Sequence, residues 1–413
     1  MQNTPQVLGL RRSFGFGDRL GLATPGHIEA VKSSNFAPVF AQQSVRELAR
    51  TLRQPGEVML AASGALEKAG WERPWGADAD HLQTRADVAR MAAAGFTMFT
   101  IDPSAHVNRD ADSMAAETLE NAAGALAGRG PSAQDIFDLY LGKSFTLEDG
   151  LCVAFTDRAG LLRALVKYGG ALAHAADMAG WIREACGKAP FELEMSVDET
   201  PHPTSPEEHL FIGLELRRRG IKVVSLAPRF VGDFEKGVDY KGSLARFENH
   251  YRRHAAIARY CGPYKLSIHS GSDKFSIYPI MGRLSGEHLH VKTAGTSYLE
   301  ALRVVCRTDR ALFREFIAFC RTRYEADRAS YHVSAALKDV PEKIGDPDLE
   351  RWYLDQDAGR QILHVTFGAL LTLGRRPNGR PFKDALLENL SLNSDLYKDV
   401  LRAHLGRHIK LLE

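Results

Sequence analysis

The sequence predicts an α/β fold, a (β/α)8 barrel of the TIM type with helical insertions and a helix-rich C-terminal extension. Three observations predict it. Short apolar runs alternate with longer amphipathic segments, as parallel strands joined by crossover helices require. Eight such runs can be counted along the chain. The 413 residues exceed an ordinary domain but suit one barrel carrying insertions. A doubly wound open sheet is the alternative. It would usually show a Gly-rich dinucleotide fingerprint after an early strand, and "GFGDRLG" near the start breaks the GxGxxG spacing.

The predicted strands are Phe14–Leu20, Pro38–Gln42, Gly76–His81, Thr97–Asp102, Phe191–Val197, Lys222–Ala227, Lys265–His269 and His288–Thr293. "WGADADHL" is the least strand-like, because it has little β propensity. Between strands the period becomes helical. "SVRELARTLR" puts Val45, Leu48, Ala49 and Leu52 on one face. "PEEHLFIGLELRRRG" opens with Pro206 and two glutamates and closes with arginines and Gly220. "RADVARMAAAGFTMFTIDPS" reads as a helix, a Gly95 cap and a strand. The barrel is expected to span residues 1–300, with a helical insertion near 105–189, and residues 301–413 to pack on it as helices.

Composition narrows the function. With 44% hydrophobic residues, 25% charged residues and a formal net charge of +2, the chain is an ordinary globular one without a nucleic-acid footprint. No apolar run approaches the ~18–20 residues that span a bilayer. The N-terminus lacks the apolar core of a signal peptide, so the chain reads as cytoplasmic. Cys152, Cys186, Cys261, Cys306 and Cys320 are scattered without a CxxC pair and are expected to be buried free thiols.

In a barrel of this type chemistry sits at the C-terminal ends of the strands. Those ends carry Asp18 and Arg19, then Gln42 and Gln43, then Asp78, Asp80 and His81, then Asp102. The later ones carry Glu192, Glu194, Asp198 and Glu199; Arg229, Asp233 and Glu235; His269, Ser270, Asp273 and Lys274; and His288, His290 and Lys292. Side chains alternate along a strand, so Glu194 shares a face with Asp198, and His288 with His290 and Lys292. Buried polar groups without partners cost a few kcal/mol each, so this convergence points to a site. A divalent metal is the natural organiser, because imidazole and carboxylate suit zinc, manganese, nickel, iron or cobalt.

The segments 13–27, 75–82, 191–200, 225–240 and 265–279 together resemble the tagaturonate/fructuronate epimerases, metal-dependent epimerases of hexuronate catabolism. The resemblance implies Asp80 as proton acceptor, Glu194 as proton donor, and His81 and His269 as metal ligands. The third ligand is Asp233 or His290, with Asp233 preferred. The substrate implied is a sugar acid whose C4 carbon is inverted. That carbon is β to the ketone, so enolisation fails there, whereas retro-aldol cleavage of C3–C4 succeeds. Ser270 would offer its hydroxyl to an anionic oxygen, Lys274 would sit near the substrate carboxylate with Asp273 orienting it or a sugar hydroxyl, and Arg229 would be a second clamp on that carboxylate. Asp18, Gln43, Asp102 and His290 complete the expected substrate contacts. No nucleic acid or membrane partner is expected, and the only macromolecular partner considered is a second copy of the chain. The runner-up is a metal-dependent ketose isomerase or aldolase on the same groups. A non-catalytic sugar-acid sensor is a third reading.

Overall fold

In the computed structural model, which describes residues 3–126 and 128–413, the chain closes a barrel of parallel strands. The strands are β1 (Ser13–Gly17), β2 (Ala37–Ser44), β3 (Gly76–Leu82), β4 (Met98–Ile101), β5 (Glu192–Val197), β6 (Ser225–Pro228), β7 (Lys265–Ile268) and β8 (Leu289–Thr293). Each pairs with its neighbour in sequence, and β8 returns to β1 with His290 opposite Ser13. That closure excludes the open doubly wound sheet. All eight predicted strands are present with shifted ends. β1 stops at Gly17, because the Asp18 carboxylate then accepts backbone N–H groups from Leu20, Gly21 and Ala23 and turns the chain.

The alternation along the strands sorts two environments. Phe14, Phe16, Ala77, Ala79, Phe99, Ile101, Leu193, Met195, Leu226, Leu266, Leu289 and Val291 pack in one buried apolar cluster with the helices. The alternate positions include Ser13, Asp78, Thr100, Glu194, Ser225, Lys265, Ser267, His290 and Lys292, and all are buried. Contacts between β8 and the non-adjacent strands β3, β4 and β5 can only cross the interior, so this polar set lines the axis. "GADADHL" is therefore a strand despite its composition. Its aspartates face a lysine inside the barrel, where propensity scales measured on half-buried sheets do not apply.

The connection from β4 to β5 is largely helical, as expected, and ends in the 29-residue helix Arg158–Cys186. It also holds an antiparallel hairpin, Ser144–Thr146 with Cys152–Ala154. Beyond β8, helices Thr296–Thr308, Arg310–Asp327, Asp357–Val365, Phe382–Leu392 and Ser394–Leu412 follow. Their Phe316, Leu363, Leu386, Leu401 and Leu405 belong to the same apolar cluster as the outer face of the barrel. Helix 394–412 lies so close to helix Thr24–Val31 that a Cβ on Gly26 would sit 2.5 Å from Leu401. Two expectations change. Leu52, expected on the buried stripe, is 72% exposed, because the helix ends at Thr51 and Leu52 turns left-handed at φ 55°. Cys152 is exposed and Cys186 half-buried, whereas Cys261, Cys306 and Cys320 are buried; all five are free thiols. Among the described residues no helix is long and apolar enough to cross a membrane.

Candidate active site

The register between β3 and β4 shifts between Ala79 and Leu82. Asp80 and His81 occupy that irregularity, and His81 has φ 59°, uncommon for a residue with a side chain. The effect is that both consecutive side chains serve the mouth of the barrel, where a regular strand would point them apart. Asp80 Oδ2 lies 2.7 Å from His81 Nδ1. Across the mouth, just past β7, His269 Nε2 lies 2.6 Å from Glu194 Oε1. The two imidazole rings are 5.1 Å apart, edge to face.

Each histidine thus hands one ring N–H to a carboxylate and keeps the other nitrogen. His81 Nε2 is 3.5 Å from Glu199 Oε1, and His269 Nδ1 is 3.8 Å from Asp198 Oδ2. His269 Nδ1 is buried and has no hydrogen-bond partner. Asp80, His81 and His269 can each bring a ligand atom within 4.8 Å of the others. The carboxylate–histidine pairing is the one that orients imidazoles toward a metal, and gaps of 3.5 and 3.8 Å leave room for an ion between nitrogen and oxygen.

Beneath them Lys292 occupies the axis. Its Nζ lies 2.7 Å from Asp78 Oδ2, 2.8 Å from Asp80 Oδ1, 2.8 Å from Glu194 Oε1 and 2.6 Å from Thr100 Oγ1. Ser225 donates its hydroxyl to Glu194 Oε2. Burial would raise the Glu194 carboxyl, but Lys292 and His269 outweigh it and hold it well below the usual carboxylate range. Burial acts on Asp80 in the same direction, and His81 and Lys292 likewise pull it down. In Asp78 burial wins and lifts the carboxyl to about 6. The Lys292 ammonium is held well above its ordinary pKa, since three carboxylates outweigh its burial. A buried cation thus keeps Asp80 and Glu194 ionised.

Two joined hollows open onto this centre. The larger, about 500 Å³, is lined by His81, Asp198, Glu199, Arg229 and Lys236 among others. The smaller, about 140 Å³, reaches Asp80 and Gln42. His81, His269, Ser270, Lys236, Ser330 and Tyr331 border both, so the segment after helix 310–327 forms part of the wall. Lys236 Nζ donates to Ser270 Oγ at 2.9 Å, and the Arg229 guanidinium donates to the Thr200 carbonyl. Both partners are neutral, so the two cations keep their charge for an anion.

A sequence model of the UxaE tagaturonate epimerases matches residues 1–412. This chain belongs to that family. It is an isomerase, a carbohydrate epimerase on a TIM barrel. A tagaturonate/fructuronate epimerase of Thermotoga maritima is 43% identical over 411 residues, 99% of this chain and 82% of the relative. The glycerol-complexed crystal structure of the fructuronate-tagaturonate epimerase UxaE from Cohnella laeviribosi superposes with a TM-score of 0.93 at 36% identity, over 99% of this chain and 83% of that one. Its native form gives 0.92, over 100% and 83%.

The other residues singled out in this epimerase's sequence are spread more widely. Ser270 and Arg229 reach the hollows. Asp102 borders neither and pairs with Arg46, which itself lines the cleft and holds Glu199 at 2.5 Å. Gln43 turns to Glu47 at 3.0 Å, whereas its neighbour Gln42 faces the small hollow. Asp18 caps its own loop. Asp233 stands apart from the histidine pair; its side chain is 53% exposed and faces His332 at 3.3 Å. His290 lies two residues below Lys292 on the same face, about 6.6 Å deeper, bonded to Ser13 Oγ at 2.9 Å. Lys274 is withdrawn from the cleft. Its ammonium is buried and donates to the carbonyls of Glu235, Ser272 and Val238, so no charge faces a substrate. Asp273 is bound by Arg360 at 2.8 Å and His404 at 2.7 Å. Lys292, Arg46, Lys236 and Glu199 carry the site's electrostatics but had no assigned role. Lys292 was visible as a cation on the His290 face of a strand. Arg46 lies in the first turn of helix Val45–Thr51, off its apolar stripe, and Lys236 lies in a loop, so no periodicity marks either.

Proposed function

We propose that this epimerase interconverts D-fructuronate and D-tagaturonate by inverting C4, with a divalent metal and retro-aldol chemistry. The observation that carries the metal reading is the pair of carboxylate-bound histidines whose free nitrogens face acidic side chains at the floor of the cleft. His81 and His269 would hold the ion, with Asp198 and Glu199 closest to complete its shell. Asp233 instead meets His332 and His290 meets Ser13, and neither joins the group of converging ligand atoms formed by Asp80, His81 and His269. Such an ion, when bound, supplies Lewis-acid stabilisation to an enediolate.

The chain's own residues handle the proton and the charge. Asp80, at the small hollow and held ionised by Lys292 and His81, takes the C4 hydroxyl proton as the C3–C4 bond breaks. The bond's electrons pass into the C2–C3 enediolate, C4 becomes an aldehyde, turns its other face, and the bond re-forms. Glu194 shares Lys292 with Asp80; the proton that Asp80 has taken passes through that ammonium, which touches both carboxylates, so that Glu194 returns it to the C4 oxygen on the opposite side. Arg229 and Lys236, which line the same hollow as the two histidines, receive the sugar's own carboxylate.

A proton NMR time course with D-fructuronate, with and without a chelator, tests this. D-tagaturonate should appear and chelation should stop it. Two fragments would indicate an aldolase, and a displaced carbonyl an aldose–ketose isomerase. Turnover that survives complete metal removal would overturn the metal reading and leave the epimerisation standing.

A further inference from the structure

Behind the Arg229 wall lies a buried chain of histidines that the chemistry above does not use. His209 sits on helix Pro206–Arg218, His250 and His254 one turn apart on helix Leu244–Cys261, and Tyr264 just before β7. His209, His254 and Thr204 are completely buried, and Tyr264 is nearly so. Tyr264 Oη lies 2.8 Å from His209 Nε2, His209 Nδ1 lies 2.7 Å from His254 Nδ1, and His254 Nε2 lies 3.1 Å from the Thr204 carbonyl. His250 Nε2 reaches the same carbonyl at 3.1 Å.

The direction of every bond follows from its end. A carbonyl only accepts, so His254 Nε2, 3.1 Å from the Thr204 carbonyl and 3.3 Å from His250 Nε2, carries hydrogen toward the carbonyl. A neutral His254 then accepts at Nδ1, and His209 Nδ1 must donate to it. His209 Nε2 is left to accept, and the Tyr264 hydroxyl donates. Burial favours these neutral forms, lowering His209 to about 3 and His250 to about 4. A second proton on either ring would set two N–H groups against each other across 2.7 Å. The packing allows little slack. A Cβ on Gly213 would lie 2.7 Å from Cys261 Sγ and 3.0 Å from Tyr264 Oη.

The chain ends beside the cleft. Thr204 N–H donates to the Arg229 carbonyl at 2.9 Å, and Thr204 Oγ1 accepts the Arg229 N–H at 3.0 Å. Thr204 also closes the loop that brings Glu199 and Thr200 to the larger hollow. We infer that Tyr264, His209, His254 and His250 are positioning residues: by fixing the Thr204 carbonyl they set the height of Arg229 in the substrate cleft. The inference rests on the reading of Arg229 as a carboxylate contact.

Tyr264→Phe removes one hydroxyl and unpins the His209 tautomer. KM for D-fructuronate should rise about fivefold while kcat holds. In an Arg229→Ala background, where KM is already raised, Tyr264→Phe should add nothing. His209→Leu should reproduce the rise, and His209→Asn, whose amide N–H stands where Nδ1–H stood, should restore most of the loss. A merely structural chain would lower the melting temperature of Tyr264→Phe and leave KM of the folded protein unchanged. That result overturns the inference, as does an equal KM rise in the Arg229→Ala background. An Arg229→Ala enzyme with parental KM overturns the carboxylate reading itself, and the inference with it.

Discussion

Two clusters in this epimerase have the same inventory, an aspartate and two histidines whose ligand atoms converge: Asp80 with His81 and His269, and Asp273 with His404 and His408. Their surroundings differ completely. In the first, each histidine gives one nitrogen to a carboxylate, and the other points into a cleft toward a further acid. In the second, every valence is consumed inside the protein. Arg360 takes Asp273 Oδ2 at 2.8 Å, His404 and Thr296 take Oδ1, and His408 Nε2 accepts the Asp273 backbone N–H at 2.9 Å. His408 Nδ1 is spent on the His404 carbonyl. The second cluster is a latch fastening helix 394–412 to the turn after β7. What separates a candidate metal site from a latch is unspent coordination and access, since residue type and spacing are alike.

The largest effect expected is at the first cluster. Glu194→Gln removes the charge that orients His269 and pairs with Lys292, and kcat should fall about 10²–10⁴-fold in the NMR assay without loss of the fold. Metal content sharpens the contrast. His269→Ala should lower bound metal more than about tenfold by elemental analysis, whereas His404→Ala should keep the parental stoichiometry. The reverse result would exchange the roles of the clusters.

Asp273→Ala should act on stability alone. It leaves the buried Arg360 without its carboxylate, so the unfolding free energy should drop by about 3–5 kcal/mol while KM stays put. Acid provides the mildest test. Burial lowers His27 to about 4 and His209 and His408 to about 3, so all three are neutral in the fold. Their contribution is complete above about pH 6.5. Below that the unfolded chain takes up protons the fold refuses, and each histidine should cost about 1.4 kcal/mol per pH unit in urea melts. His404 runs the other way. Burial would lower it, but Glu300 and Asp273 raise it, so its contribution is present below about pH 6.5 and is lost as pH rises through its folded pKa. His404→Gln should therefore abolish the gain in stability seen as pH falls toward about 6.5 and leave the slope below it unchanged; a gain that persists in the variant would mean His404 is not charged in the latch.

How much was legible follows from what period and propensity can carry. The strands were readable because their outward faces must be apolar to meet the helices, whatever their inward faces do. Asp80, His81 and His269 were readable as strand-end polar residues. Lys274 and Asp273 look equally functional in "SGSDK", yet both are turned into the protein, because Asp273 adopts φ 62° and the following chain folds over its own carbonyls. No local pattern announces that turn.

By itself, then, the sequence determined the number and order of the strands, the family, and the presence of an aspartate–histidine pair at the end of β3 and a histidine at the end of β7. The tertiary structure alone decided that Lys292 on the last strand neutralises carboxylates from β3 and β5, that Asp198 and Glu199 face the histidines in place of Asp233, and that one aspartate–histidine cluster is open and the other sealed. The physical reason is closure. Residues more than 200 positions apart become neighbours across the axis only when β8 meets β1, and that distance is set by the circumference of the barrel, which no spacing along the chain records.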